Sequence, residues 1–328
     1  MGYFEKLSYL ALEPNSYCNL HCTSCNRDRL EAEGLRKNKN LTLAELKHIL
    51  EQVKFCPINT VKLQILSEPM FHPEFHILAK ELKSYFPKAY VIVATNLQYN
   101  LLKSPFLSTL PFADIFYLSI DGTGEIYEKL RVGARYDKLL KSLTDIKENV
   151  SPADRKKLYI NFTLTPENYL ELPKVYELKE IYELGGVRIN LAQNWNEDQL
   201  NDLRFSDEIT DYLKNYSRDV KGVPNWNYSD CFWPFSGVTI DVYGNVRQCI
   251  INTTQQPIGN VFSTPLKEIF ENSPVLQEAR MLLSKNIAPN SCKNCDYKHL
   301  SKQLADIFSS QPTATANKPR LKVFDENS

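Results

Sequence analysis

Residues 17–26 read YCNLHCTSCN and place Cys18, Cys22 and Cys25 at the spacing C-x3-C-x2-C. They follow a short apolar run, residues 9–12, that predicts a first strand. Three thiolates on one tight loop can hold three irons of an iron–sulfur cube and leave the fourth iron without a protein ligand. A metal position that is kept open is typical of a reactive rather than a structural site. A zinc knuckle that lacks one ligand and a redox thiol loop are less favoured interpretations.

The composition limits the class of protein. The chain has 328 residues, of which 43% are apolar and 24% are charged, so it has enough apolar residues for a sizeable core. Lys and Arg together number 39, as do Asp and Glu. That balance argues against a nucleic-acid or acidic-membrane partner, since either requires a basic face.

The expected compartment bears on the role of the cysteines. No apolar run approaches the roughly 20 residues that span a bilayer, and the N-terminal residues lack a signal-peptide core. We therefore expect a cytoplasmic protein with no membrane partner. In a reduced compartment, eight cysteines are better explained as metal ligands than as disulfides.

The pattern of apolar residues predicts the fold class. Six β-rich runs alternate with amphipathic helical stretches, which implies a parallel sheet with right-handed crossovers. We expect an α/β protein with a partial (β/α)6 TIM-like barrel, whose chemistry collects at the carboxyl ends of the strands. The predicted strands are residues 9–12, 61–66, 90–94, 114–120, 158–164 and 187–191.

A second cysteine set follows the barrel. Residues 219–225 are predicted to be a linker by their turn residues, and residues 238–248 a hairpin. The predicted domains are thus a barrel over 1–218, a small cluster-binding extension over 219–308 and a flexible tail over 309–328. Four thiolates suit either zinc or a [4Fe–4S] cluster, and the spacing alone leaves both open. The four cysteines are Cys231, Cys249, Cys292 and Cys295.

Further motifs follow the predicted strands in a fixed order. Together with both cysteine sets they resemble the radical S-adenosylmethionine (SAM) enzymes, and within them the subfamily with a SPASM/twitch extension. In the barrel, Ser67–Phe75 resembles the family pattern G-G-E-P-L-x-H-P-x-F, Thr95-Asn96 resembles T-N-G, and Ser119–Gly133 resembles S-x-D-G…Y…R…G. In the extension, Ile258–Val261 resembles I-G-N-[IV], and Leu266–Phe270 resembles L-x-E-I-W.

The resemblance implies the cofactors. Cys18, Cys22 and Cys25 would hold a SAM-binding [4Fe–4S] cluster. The four later cysteines would hold one auxiliary [4Fe–4S] cluster, since the longer form of the extension has about seven cysteines. An electron donor such as flavodoxin or ferredoxin is also expected.

The resemblance also assigns SAM contacts. Glu68 would accept the SAM ammonium, and Ser119 with Asp121 would bond the ribose hydroxyls. Arg131 would hold the methionine carboxylate, and Asn96 would line the pocket. Each assignment has an alternative. Glu68 could be a solvated loop carboxylate, and Asp121 could form an Asx turn. Arg131 could make a salt bridge on a helix surface, and Asn96 could cap a helix.

Several positions depart from the family pattern. Leu66 and Ser67 replace two glycines before Glu68, which implies a reshaped loop. Leu97 replaces the glycine of T-N-G. Ser24 stands where many members carry an aromatic residue, so adenine packing must come from elsewhere.

The resemblance implies that a 5′-deoxyadenosyl radical abstracts hydrogen from a substrate. Our first hypothesis is net oxidation of a small polyol, sugar or amino-sugar, as in 2-deoxy-scyllo-inosamine dehydrogenase, with the auxiliary cluster as electron acceptor. The sequence shows no room for an N-terminal peptide-recognition domain, which favours this hypothesis. Peptide or protein modification is the second hypothesis, and a non-catalytic zinc-binding scaffold is the third. No catalytic residue is identified. We expect His72 to be structural and Cys56 to be a buried thiol.

Overall fold

The structure, a computed structural model, describes residues 2–192, 205–221, 227–251, 256–292, 295, 305 and 307. Its strands are β1 (Tyr9–Leu12), β2 (Thr60–Lys62), β3 (Tyr90–Thr95), β4 (Ile115–Ser119), β5 (Leu158–Leu164), β6 (Gly186–Leu191), β7 (Val220–Lys221), β8 (Gly237–Ile240), β9 (Asn245–Arg247) and β10 (Gly259–Asn260).

The helices mostly follow the strands and cover the outer face of the sheet. They are α1 (Arg27–Ala32), α2 (Leu43–Val53), α3 (Phe75–Tyr85), α4 (Phe106–Thr109), α5 (Gly124–Leu130), α6 (Tyr136–Asn149), α7 (Pro152–Arg155), α8 (Leu172–Ile181), α9 (Asp207–Lys214), α10 (Trp233–Ser236), α11 (Leu266–Asn272) and α12 (Pro274–Leu283). No helix in the described ranges is both long and apolar enough to traverse a membrane.

The strands form one sheet in the order β10-β9-β8-β1-β2-β3-β4-β5-β6-β7. Neighbours from β8 through β1 to β7 are parallel, whereas β8-β9 and β9-β10 are antiparallel. In the described part of the chain the two edges do not pair, so the barrel is open. The predicted partial barrel is confirmed.

Local sequence signals account for α2. The sequence predicts a capping box from Thr42 followed by Glu45, and then an apolar stripe on one face of a helix. Thr42 accepts a hydrogen bond from the Glu45 N–H, and the Glu45 carboxylate accepts one from the Thr42 N–H, so the capping box is present. The stripe is buried and consists of Leu46, Ile49, Leu50 and Val53.

Two predicted boundaries are wrong. The strand predicted over 61–66 ends at Lys62, because the Leu66 N–H donates to the Glu13 carboxylate rather than to a neighbouring strand (3.0 Å). The linker predicted over 219–225 begins with β7, whose Val220 pairs with Ile189 and is buried. The tail over 309–328 and residues 222–225 of the predicted linker lie outside the described residues. The sequence also predicts a helix over 196–215; residues 196–204 of it are likewise not described, and α9 lies in the remainder.

Strand β8 joins the C-terminal part of the chain to the barrel. It lies beside β1 in parallel, with Leu10 opposite Val238. The predicted hairpin is present as β8 and β9, and it extends the barrel sheet rather than forming a separate one. The two cysteine-bearing regions therefore share a single sheet and a continuous hydrophobic core.

A buried ion pair fixes the loops beyond β1 and β2. The two Arg36 Nη atoms lie 2.9 and 3.2 Å from the two Glu13 carboxylate oxygens, and both side chains are almost fully buried. The same carboxylate accepts the Leu66 N–H. Glu13 thus connects the segment after the cysteine loop to the loop that carries Glu68.

We expect Arg36→Met to lower the free energy of unfolding by about 3–5 kcal/mol, because it leaves the Glu13 carboxylate buried without its counter-ion. Arg29→Met is the matched control. Arg29 pairs with Glu33 at 2.7 Å, but both side chains are about half exposed, so its loss is expected to cost about 0–1 kcal/mol. Urea unfolding measures both, and equal losses would contradict the assigned role of the Glu13–Arg36 pair.

Candidate functional site

The first cysteine loop lies between β1 and α1 and faces a central cavity. Cys18, Cys22 and Cys25 are half-buried and all line this cavity. Backbone hydrogen bonds hold the loop against the segment after α5: the His21 N–H donates to the Val132 carbonyl (2.8 Å), and the Thr23 N–H donates to the Leu130 carbonyl (3.0 Å).

Burial makes free thiolates unfavourable at these positions. It raises the pKa of Cys18 to about 12 and that of Cys22 to about 11, and it also raises the pKa of Cys25. A thiol bound to a metal is deprotonated outright, because the positive charge of the metal compensates for lost solvation. The donor set and its surroundings therefore fit a metal-bound group better than free redox thiols.

The loops after β2 and β3 meet at Glu68. This carboxylate is 2% exposed. It accepts hydrogen bonds from the Thr95 hydroxyl and the Asn96 N–H, both at 2.7 Å. Burial raises the pKa of Glu68 to about 7, despite these hydrogen bonds. The alternative of a solvated loop carboxylate is wrong, and a nearby cation would favour the ionised form.

Asn96 connects the β3 loop to the cysteine loop. Its side-chain amide donates to the Asn19 side-chain oxygen at 3.0 Å and lies 3.7 Å from the Cys18 sulfur. Its side-chain oxygen accepts the Gln98 N–H at 2.8 Å, so it closes a turn rather than capping a helix. Asn96 lines the cavity, and its contact with SAM stays a prediction.

The loop after β4 places its two predicted residues differently. Ser119 lines the cavity, whereas Asp121 does not. The Asp121 carboxylate is buried, where it binds Arg131 (2.7 Å) and accepts the Thr163 N–H (2.6 Å). Arg131 and Thr163 themselves line the cavity, so Asp121 lies behind the wall that they form. Its carboxylate positions Arg131, and its contact with the ribose stays a prediction.

Arg131 lies at the cavity beside the cysteine loop. One of its Nη atoms is 3.9 Å from the Cys22 sulfur, and its Nε is buried without a partner in the described part of the structure. Arg131 does form a salt bridge, with Asp121, but the pair is buried and not on a helix surface.

The second cysteine set faces the same cavity. Cys231, Cys249, Cys292 and Cys295 all belong to its lining. Burial raises the pKa of Cys231 to about 12. The Cys295 N–H donates to the Cys292 carbonyl (3.1 Å) in a tight turn, and the Gln248 amide lies 3.4 Å from the Cys292 sulfur. None of the eight cysteines, all of which the structure describes, takes part in a disulfide.

The cavity has a volume of about 520 Å³, within the range of small-molecule sites. Buried polar groups rarely lack partners, yet four residues of the lining carry buried side-chain atoms without one in the described residues: Ser67, Tyr117, Arg131 and Gln248. These unpaired atoms, together with seven thiols, fit a site that binds polar groups and clusters. In the described residues, no three His, Cys, Asp or Glu side chains converge as ligands of a single metal ion.

Sequence reasoning missed the polar side chains inside the barrel. They occupy alternate positions of otherwise apolar strands, and this alternation could have identified them from the sequence. In β5 and β6 the buried and half-buried residues alternate in the same way. The inward-facing residues of this kind that line the cavity are Lys62, Tyr117, Asn161, Thr163, Arg188 and Asn190.

Aromatic and apolar residues complete the wall. Phe232 and Trp233 stack at 4.8 Å, contact Tyr9, and line the cavity, so they serve both packing and site formation. Near Ser24, an apolar cluster of Ile65 and Leu66 packs with Leu30, Cys25 and Ile250. These side chains are candidates for the adenine packing that Ser24 cannot provide. Trp195 and Trp226 lie outside the described residues.

Two other sequence predictions are confirmed. His72 is structural, since its Nε2 lies 2.9 Å from the Leu41 carbonyl and the side chain is buried. Cys56 is buried, and its sulfur lies 3.4 Å from the Phe4 carbonyl, away from the cavity.

Comparisons with known proteins agree with this geometry. The SPASM model, described as an iron–sulfur cluster-binding domain, matches residues 231–296. The tungsten-containing aldehyde ferredoxin oxidoreductase cofactor-modifying protein of Pyrococcus furiosus is 26% identical over 211 residues, which are 62% of this chain and 56% of that protein. The chain thus spans about half the length of this curated relative.

Solved structures share the fold. Streptococcus suis SuiB, solved with S-adenosylmethionine, gives a TM-score of 0.63 at 17% identity over 92% of this chain and 72% of SuiB. SuiB has also been solved with its precursor peptide SuiA. BtrN, solved with AdoMet and 2-DOIA, gives a TM-score of 0.50 at 16% identity over 85% of this chain and 88% of BtrN.

Leu97 generates a stability prediction. Its φ is +59° and its side chain is fully buried, so it combines a left-handed backbone, which costs about 1–2 kcal/mol, with apolar burial worth about 2–5 kcal/mol against alanine. We expect both Leu97→Gly and Leu97→Ala to be destabilised, with the glycine variant about 1 kcal/mol more stable.

Glycine is normally the less stable of these two substitutions, so the inverted order is diagnostic. Denaturant unfolding of the two variants measures it. Leu101→Gly and Leu101→Ala are the matched controls, because Leu101 is equally buried and has no positive φ; there alanine should be the more stable. The same order at both positions would contradict strain at Leu97.

Proposed function

We propose that the chain is a radical SAM enzyme with a SPASM/twitch extension that oxidises a small polar substrate held in the central cavity. The match of residues 231–296 to the SPASM iron–sulfur cluster-binding domain and the fold shared with SuiB support this proposal. The observation that carries the proposal is that both cysteine sets and the polar barrel interior line one cavity. A substrate bound there is within reach of both cluster sites.

The residues present suggest how SAM would be held. Cys18, Cys22 and Cys25 leave one iron of a [4Fe–4S] cluster open for it. The Glu68 carboxylate accepts hydrogen bonds from the Thr95 hydroxyl and from the N–H groups of Asn96 and Met70. An ionised carboxylate can accept about four hydrogen bonds, so it retains acceptor capacity for an ammonium.

Beside Cys22, Arg131 offers a planar fork for a carboxylate. Asp121 fixes the orientation of that fork. When bound, SAM and the cluster supply a one-electron cleavage that yields methionine and a 5′-deoxyadenosyl radical able to take a hydrogen atom. The protein contributes positioning and the exclusion of water.

The extension supports a net oxidation. Four cysteines would complete the ligands of a second cluster and leave no iron for the substrate. Its remaining role is electron transfer, and its cysteines line the cavity wall from which an electron could leave the substrate. An external donor such as flavodoxin or ferredoxin would supply the electron that starts each turnover.

A small substrate suits the cavity. Its volume of about 520 Å³ must also hold SAM and the clusters that the seven cysteines would bind, which favours a small molecule, or one residue of a peptide, over a large substrate. Relatives of both kinds share the fold: BtrN was solved with 2-DOIA and SuiB with a precursor peptide. Peptide modification is therefore the second candidate function.

Removal of the first cysteine set tests the chemistry. We expect Cys18→Ala, Cys22→Ala and Cys25→Ala, combined in one variant, to abolish reductive SAM cleavage and to leave the iron of the second cluster, because only the first cluster has an open iron. The measurement is 5′-deoxyadenosine formation and iron content after anaerobic reconstitution with dithionite as reductant. Cys56→Ala is the matched control and should retain both clusters and the activity.

SAM cleavage that persists in the triple variant would contradict the assignment of the first cluster. One zinc and no iron in the anaerobically purified wild-type protein would contradict the enzymatic function and favour the zinc-scaffold alternative.

The second cysteine set makes a different prediction. We expect the double variant Cys292→Ala/Cys295→Ala to retain uncoupled SAM cleavage. Its substrate turnover should fall by a factor at least ten times larger than the fall in cleavage, because only the net oxidation needs the second cluster. Deuterium transfer from labelled candidate substrates into 5′-deoxyadenosine measures hydrogen abstraction separately. Equal loss of cleavage and turnover in a folded variant would refute the electron-acceptor role.

A further inference from the structure

The interior wall of the cavity carries two cations that the proposed SAM contacts do not use. Lys62 is the last residue of β2, and Arg188 lies in β6; both line the cavity. No ion pair or hydrogen bond to Lys62, and no ion pair to Arg188, is present in the described residues. The third cation of the lining, Arg131, is paired with Asp121.

Arg188 is held in a fixed orientation. Its Nε donates to the Asn190 side-chain oxygen at 2.9 Å, and the Asn190 amide donates to Asn161 at 2.5 Å. Its guanidinium lies over the Tyr117 ring at 4.7 Å. These contacts use the Nε and one face, and they leave the two Nη groups for a ligand.

Tyr117 adds a donor at the same place. Its hydroxyl is buried without a hydrogen-bond partner in the described residues, although the residue lines the cavity. An unpaired buried hydroxyl is unfavourable, and a ligand oxygen would satisfy it. Lys62, Arg188 and Tyr117 are all donors when the lysine is charged, so the group that they fit is an acceptor.

Charge compensation makes that acceptor an anion. The two carboxylates of the lining are Glu68, which binds Thr95 and Asn96, and Asp230, which is exposed and accepts the Asn227 N–H. Burial, together with the charge of Arg188, lowers the pKa of Lys62 to about 8. The cost of holding both cations in the cavity is removed when an anion binds between them.

We infer that Lys62 and Arg188, with Tyr117, form a subsite for a negatively charged oxygen group of the substrate, a carboxylate or a phosphate. The inference rests on the proposed function and narrows it. Among small polar substrates it favours an acidic or phosphorylated sugar or polyol over an amino-sugar, whose ammonium would be repelled by both cations.

The guanidinium fork of Arg188 matches either group, since carboxylate and phosphate both accept two parallel N–H bonds. Lys62 acts as a point charge that either can share. A carboxylate and a phosphate therefore differ in size but would be recognised by the same donors. Probes that carry one or the other on the same sugar distinguish the two.

The experiment uses the reconstituted wild-type protein saturated with SAM and four hexose probes: glucose, glucosamine, glucuronate and glucose 6-phosphate. Calorimetric titration measures each affinity. We expect glucuronate or glucose 6-phosphate to bind at least ten times more tightly than glucose, and glucosamine to bind no better than glucose. Whichever acidic probe binds more tightly identifies the anion.

Variants assign that binding to the subsite. We expect Lys62→Met and Arg188→Met each to weaken the acidic probe about 10–100-fold, the range of a lost charge-assisted contact. Lys62→Arg should restore most of the affinity. The matched control is Lys103→Met, at an exposed lysine away from the cavity, which should bind as the wild type does.

Three results would overturn the inference. The first is that the acidic probes bind no better than glucose, and the second is that their affinity survives both methionine substitutions. The third is that Lys62→Met weakens SAM itself by a similar factor, which would assign the pair to the SAM carboxylate.

Uncoupled SAM cleavage separates these outcomes from a failure of the proposed function. If the protein cleaves SAM but does not prefer the acidic probes, the subsite is contradicted and the proposed function is not. If the protein cannot cleave SAM, the proposed function is contradicted whatever the probes do.

Discussion

The pairing of β8 with β1 is the constraint on which the site depends. Strand β1 leads into the first cysteine loop at its carboxyl end, and β8 lies beside β1 in parallel, with Tyr9 opposite Gly237. Cys231 precedes β8, and β9 runs back along β8 before Cys249, so the hairpin brings these two cysteines to the amino end of β8. Two sets of cysteines more than 200 residues apart in sequence thus belong to one sheet and line one cavity.

Electrostatics determines what the cavity can hold. Its thiols are buried where free thiolates are disfavoured, and its interior strands present cations with no carboxylate partner in the described residues. An empty cavity of this kind is unfavourable, and a metal cluster and an anionic ligand relieve different parts of the cost. The same groups that destabilise the empty site therefore select what binds in it.

The barrel and the cysteine ligands were predictable because they depend on local patterns. Alternation of apolar runs located β1 to β6, and the capping box at Thr42 located α2. The site contacts were less accessible, since they depend on which neighbours share a pocket. Asp121 follows its strand as the motif requires, yet it lies behind the cavity wall and pairs with Arg131 and Thr163, which form part of that wall. Lys62 and Arg188 carry no motif, and their proximity requires the register of five strands.

The sheet order also sets the sequence of assembly. Ser8 and Ser236 meet at the start of β1 and β8 and are 228 residues apart, so at about 5–20 residues per second β1 waits roughly 10–50 s for its partner during synthesis. An unpaired edge invites pairing with other chains, and a strand of four residues limits that hazard. During the same interval the cysteine loop stands at the open side of an incomplete barrel. We expect iron delivery to the nascent chain to be easiest before the hairpin docks.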